Sequence, residues 1–139
     1  MQPEYILAKE VAKFLNEKYP EVVYHFDVGS GARLPIGLAM KQKKLNRHRG
    51  WPDLFIAKSK YRVDWGPGGS SHKHTNGLFI ELKAENNSPF LKDGKTIRKD
   101  PHLKEQFLLH EVLRSKGYEV HFGVGLENCK KIIDQYLSI

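Results

Sequence analysis

Two apolar runs in this chain carry charges where a buried strand should have none. The run P-D-L-F-I-A (52–57) has Asp53 near its start, and G-L-F-I-E-L-K (77–83) has Glu81 and Lys83 near its end. Ionised groups are rarely buried unless they are paired or bound to a metal. Successive side chains of a strand face opposite ways. Phe79, Glu81 and Lys83 therefore share one face, and Leu78, Ile80 and Leu82 the other. Glu81 and Lys83 are then neighbours roughly 6–7 Å apart. Alone, that pair reads as an exposed ion pair at a sheet edge. Asp53 changes the reading, because pairing of the two strands would bring its carboxylate beside Glu81. Two carboxylates suit Mg²⁺, which takes oxygen ligands and leaves positions for water and a phosphate. A cation there lowers the pKa of bound water and neutralises charge on a phosphate under attack. A lysine orients the attacking water as an ammonium, or deprotonates it as a neutral amine.

The elements that must position these groups follow from periodicity. Leu7, Val11, Phe14, Leu15 and Lys18 follow helical spacing, which predicts a helix over 3–18, opened by Pro3 and Glu4. V-V-Y-H-F-D-V (22–28) reads as a strand, and Asp27 before Gly29-Ser30-Gly31 as a turn carboxylate, with the rim of the site as its second reading. Residues 36–47 suit a short basic helix, and 52–57 a short strand. The stretch 58–76 is polar and rich in Gly, Ser and His, and reads as a loop or mobile hairpin arm. His72 and His74 within it lack a third ligand for zinc. After the strand at 77–83 comes a second polar loop, 84–100, turning at Asp93-Gly94. A helix from Pro101 to about Lys116 stops at Gly117, a strand spans 119–124, and a last helix spans 127–137. Cys129 falls on the apolar stripe of that helix, as a core residue. This order predicts a single α/β domain over 1–139, a central mixed β-sheet flanked by helices.

With 139 residues, 40% apolar and 28% charged, the chain can bury a core without staples. Its single cysteine excludes an internal disulfide and a Cys-built zinc site. No apolar run reaches 18 residues, so no membrane span is expected, and the first residues do not read as a signal peptide. The net charge of +7 is unevenly placed. From Val28 to Pro52 there is no acid, while Arg33, Lys41, Lys43, Lys44, Arg47 and Arg49 crowd the same window. Such a patch attracts polyanions, nucleic acid first among them. No Gly-rich phosphate loop or Ser/His triad spacing points to another enzyme class.

The run G-W-P-D-L-F-I-A (50–57), then G-L-F-I-E-L-K, then a helical Gln106 and the strand G-Y-E-V-H-F-G-V-G, resembles the PD-(D/E)xK nuclease superfamily. Within it the sequence is most similar to the VRR-NUC (virus-type replication-repair nuclease) family, small stand-alone phage or prophage type. The resemblance spans about Glu4 to Leu137. It implies a restriction-endonuclease-like core and Mg²⁺- or Mn²⁺-dependent cleavage of DNA. It assigns catalysis to Asp53, Glu81, Lys83 and Gln106, and to an N-terminal helical glutamate for which Glu4 is the candidate and Glu10 the weaker one. Metal would be held by Asp53, Glu81 and the Leu82 carbonyl. The 27 residues between Asp53 and Glu81 exceed the compact family pattern, the excess being the 58–76 stretch.

Lys41, Lys43, Lys44, Arg47 and Arg49 are expected to track a DNA backbone, with Lys92, Lys95, Arg98 and Lys99 clamping the other side. Stand-alone relatives suggest a homodimer acting on branched DNA such as Holliday junctions, in the cytoplasm of a bacterium or a phage-infected cell. Other readings are a module that binds branched DNA without cutting, or a nuclease subunit of a larger phage replication or packaging assembly.

Overall fold

The computed structural model describes residues 3–27, 35–46, 48 and 50–138. Helix α1 spans Pro3–Lys18, strand β1 Tyr24–Phe26 and helix α2 Ile36–Leu45. Strands β2 (Leu54–Ile56), β3 (Lys60–Gly66), β4 (Gly69–Thr75) and β5 (Leu78–Lys83) follow, then α3 (Pro101–Ser115), β6 (Glu119–Val124) and α4 (Gly125–Leu137). The expected strand at 22–28 is shorter than its apolar run.

The main sheet has the order β1-β2-β5-β6. β2 runs antiparallel to both β1 and β5, and β6 pairs parallel to β5. This is the mixed sheet expected from the element order. A parallel pair needs a crossover, and α3 provides it. Asp100 caps α3 by accepting from the His102 N–H at 2.9 Å, with Pro101 in the first turn, where its missing N–H costs nothing. Gly117, at φ 92°, closes the other end.

β5 lies inside the sheet, and all six of its residues are buried. On one face Leu78, Ile80 and Leu82 join Leu54 and Ile56 under α1 and α4, against Leu7, Val11, Leu15, Cys129, Ile133 and Tyr136. On the other, Phe79 and Val120 meet Leu109 and Leu113 of α3. Each fully buried Leu or Ile contributes about 1.5–3 kcal/mol, so the strand carrying the charges is also a main anchor of the fold.

Residues 58–76 take the hairpin form of the two expectations. β3 and β4 pair along their whole length, from Lys60↔Thr75 to Gly66↔Gly69, as a separate two-stranded sheet. Its base is fixed. The Tyr136 hydroxyl donates to the Lys58 carbonyl at 2.5 Å, the Lys60 ammonium lies 4.7 Å above the Tyr136 ring, and Asn76 bonds to the carbonyls of Lys116 and Gly117. In the second loop, Asp93 accepts from the backbone of Lys95 and Thr96, as the turn reading requires. Among the described residues no helix is long and apolar enough to cross a membrane.

Candidate active site

The antiparallel register Leu54↔Ile80 puts Asp53 level with Glu81 at the far end of the ladder. The Asp53 carboxylate accepts a hydrogen bond from the Leu82 N–H at 2.8 Å. The preceding residues G-W-P reach this point because Gly50 turns at φ 81°. A Cβ there would lie 3.1 Å from the Gln106 backbone, so a side chain would push α3 away. Trp51 then stacks near Phe79, ring centroids 6.0 Å apart.

Glu81 and Lys83 are not an exposed pair. They are 2% and 8% accessible, lying in the strand face that α3 covers. Burial pushes the Glu81 carboxyl far above its ordinary range, and the Asp53 charge and a hydrogen bond with Asp53 push it further. Lys83 opposes this, and Asp27 adds to it. The Asp27 N–H donates to the Asp53 carbonyl at 2.7 Å, extending the β1–β2 ladder by one residue. Asp27 therefore stands at the rim of the site, its second reading from sequence. The turn expected after it, 28–34, lies outside the described residues.

Gln106 comes from α3 and is also buried. Four residues on, one turn further along the same helix face, is His110, fully buried, with its Nε2 3.5 Å from Glu81 Oε1. That contact is long for a hydrogen bond. Nor is it an ion pair, since burial, with Arg114, Lys83 and His121 adding, lowers the imidazole to about 4. Sequence reasoning missed His110. Its i+4 spacing from Gln106 was the available signal, and it is masked by an apolar stripe in which a histidine reads as core.

Glu81 Oε1, Gln106 Oε1 and both His110 ring nitrogens are the buried side-chain atoms without a hydrogen-bond partner among the described residues. Buried polar groups are almost always satisfied, and a cluster that is not calls for an ion or water. Two adjoining carboxylates, one driven toward its protonated form by burial and then by the charge of the other, fit a divalent cation, which would offset both. Among the described residues no three His, Cys, Asp or Glu side chains form a metal cage. The oxygens expected from sequence to hold a cation, those of Asp53, Glu81 and the Leu82 carbonyl, would make a sparse set of the type that Mg²⁺ accepts.

The remaining expected residues, where described, fall on α1, α2 and the second loop. Glu4 accepts from Asn87 Nδ2 at 3.1 Å, and Asn87 Oδ1 accepts from Arg98. Glu4 is thus tied to the segment leaving β5. Glu10 is exposed. Arg98 also donates to the Ser88 carbonyl at 2.7 Å, so its guanidinium braces the second loop. Lys92, Lys95 and Lys99 are exposed on that loop, and Lys41, Lys43 and Lys44 on α2. Arg47 and Arg49 lie outside the described residues.

No family model matches the chain, and no curated protein matches it. A solved structure described as a "VRR_NUC domain protein" matches it with a TM-score of 0.61, covering 99% of this chain and 89% of that one at 22% identity. At that identity the match establishes a shared fold.

Proposed function

We propose that this chain, which has the fold of a VRR_NUC domain protein, is a VRR-NUC-type nuclease that hydrolyses DNA phosphodiesters with Mg²⁺ or Mn²⁺. The observation that carries the reading is the meeting of Asp53, Glu81 and Lys83 at paired strand ends, where Glu81 Oε1 is buried without a partner. Asp53 and Glu81, with the Leu82 carbonyl, would hold the cation. When bound, it supplies an acidified water and neutralises phosphate charge. Lys83 Nζ donates to the attacking water or a non-bridging phosphate oxygen, fixing the line of approach. The water oxygen gives up a proton to solvent as it bonds to phosphorus, the bond to the leaving sugar oxygen breaks, and that oxygen takes up a proton from solvent. Gln106 steadies Lys83 or the phosphate, and Glu4, through Asn87, holds the exit of β5. Lys41, Lys43 and Lys44 grip the DNA backbone without reading sequence.

Branched DNA such as a four-way junction is the proposed substrate, with two copies of the chain making paired nicks. Among its described residues one 16 kDa chain presents one such centre. A cleavage assay on linear, flapped and four-way DNA, in Mg²⁺, Mn²⁺ or EDTA, tests the reading. Wild type should cut with metal only, and Lys83→Ala should be inert. An inert wild type in every metal removes the enzymatic reading for this chain, and an active Lys83→Ala removes the assigned site.

A further inference from the structure

The β3–β4 arm has no role in the chemistry above. It leaves the main sheet at the Ile56/Leu78 end of the β2–β5 ladder, opposite the end that carries Asp53 and Leu82. Beyond its base, nearly all its residues are exposed. Trp65 is 83% accessible and Tyr61 64%. A two-stranded ribbon alone is marginally stable in water, and among the described residues no third strand pairs with it. A seven-residue free edge is a template for another strand.

Which backbone groups that edge offers is fixed by the turn. Gly66 pairs with Gly69 across the two-residue turn Pro67-Gly68, so those two exchange hydrogen bonds. Alternation then directs Asp64, Arg62 and Lys60 toward β4, and leaves the N–H and C=O of Tyr61, Val63 and Trp65 pointing outward. The side chains on this edge read Tyr61-Arg62-Val63-Asp64-Trp65. That order is complementary to its own reverse.

We propose that β3 is a self-recognising edge. Two copies pair antiparallel through it, about a two-fold axis at Val63, to make a continuous four-stranded sheet. In that register Val63 faces the partner's Val63, Tyr61 faces the partner's Trp65, and Arg62 faces the partner's Asp64. The outward backbone groups of Tyr61, Val63 and Trp65 exchange hydrogen bonds with their opposites. Arg62 and Asp64 fall at the non-hydrogen-bonded positions, where opposing side chains come closest. Within one copy Arg62 and Asp64 already pair at 3.2 Å on the same face, so the two copies together form a four-charge alternating network. Tyr61, Val63 and Trp65 with their counterparts line the other face, which buries the exposed tryptophan.

The β4 edge lacks this property. Its outward residues are Ser70, His72 and His74, and self-pairing would set His72 against the partner's His72 and Lys73 against a serine. His72 is also engaged by Tyr61 and Ser70 of its own arm. A nucleic acid would favour one sign of charge along the edge, whereas Arg62 and Asp64 cancel. The pairing rests on the two-copy reading above and gives it a surface.

Sedimentation equilibrium of the full chain, without DNA or metal, tests it. Wild type should be a dimer. Arg62→Asp and Asp64→Arg should each weaken association on the order of tenfold or more, by setting like charges opposite each other. Mixed in equal amounts, those two variants should associate, because each supplies the charge the other lacks. Val63→Pro should be monomeric with an unchanged circular dichroism spectrum, since the Val63 N–H is not used against β4. A monomeric wild type overturns both this proposal and the two-copy reading. A wild-type dimer that persists in all three variants overturns the β3 edge alone. Metal-dependent cutting of linear DNA should be the same for Val63→Pro and wild type, which keeps both outcomes separate from the nuclease reading. Loss of the dimer with retained binding of four-way DNA supports the edge as a protein contact. A dimer intact in Val63→Pro with DNA binding lost would assign the edge to DNA instead.

Discussion

The Asp53 carboxylate accepts a hydrogen bond from the Leu82 N–H at 2.8 Å, across 29 residues of chain. This one bond ties the two motif strands at the ends that carry the carboxylates, so Asp53 is a structural clasp in addition to the ligand role proposed for it. Asp53→Asn keeps an acceptor for Leu82 and should stay folded, with a melting temperature within a few degrees of wild type. It should lose cleavage by at least about 10²-fold. It should also lose the rise in melting temperature that Mg²⁺ or Mn²⁺ gives wild type through binding the folded state. An undiminished metal-induced rise would remove Asp53 from the ligand set.

Glu81 makes stability depend on pH. Its carboxyl is raised in the folded state, by burial first and by Asp53 second. The folded chain therefore holds a proton that the unfolded chain releases above about pH 4.3. The Glu81 contribution to stability must then fall as pH rises through the neutral range, by at most about 1.4 kcal/mol per pH unit, while the lowered His110 opposes it below about pH 6.5. Glu81→Gln mimics the protonated form and should be more stable than wild type in EDTA at pH 8, with the two converging near pH 4. Saturating Mg²⁺ should flatten the wild-type profile. Thermal unfolding between pH 4 and 9 measures all three, and parallel wild-type and variant curves would contradict them.

His110 is buried, neutral and without a hydrogen-bond partner beside Glu81. An unsatisfied buried group costs roughly 1–3 kcal/mol. His110→Leu should therefore leave the metal-free chain as stable as wild type or more so. It should weaken metal affinity or activity by about 10–100-fold, the range seen when a group orienting a ligand is lost. Calorimetric titration with Mn²⁺, beside thermal unfolding, separates the two effects. A variant that is both unstable and fully active would make His110 a core residue only.

Gly123 lies under α4, where an added Cβ would come within 2.6 Å of Cys129 Sγ and 2.8 Å of Ile80 Cγ2. Gly123→Ala should destabilise by about 1–3 kcal/mol. Cys129 itself is inaccessible, and burial raises its thiol to about 12. Wild type should react with a thiol reagent at pH 8 only as it unfolds, and Gly123→Ala should react faster. Rapid labelling of the folded wild type would refute this packing.

The motif strands and three of the helices were legible because their signals are local: alternation around Leu78 to Leu82, helical spacing in α1 and α4, and Pro101 and Gly117 at the two ends of α3. Face alternation also foretold that Asp53 would meet Glu81. The burial of Glu81 and Lys83 was not legible. It depends on where α3 lands, which its own sequence does not state. His110 was hidden for the same reason. Asp27 read as a turn residue because the ladder bond to Asp53 is long-range, and the arm was ambiguous because its polar, exposed strands carry no buried face to mark them.

The arm joins the sheet at the end of the β2–β5 ladder remote from the carboxylates. Architecturally it is a cassette: its length and composition can change between Lys58 and Asn76 while the register that aligns Asp53 with Glu81 stays put. Loop insertions cost little extra closure entropy. Selection is therefore free to edit the arm's exposed edge without moving the carboxylates at the other end of the ladder.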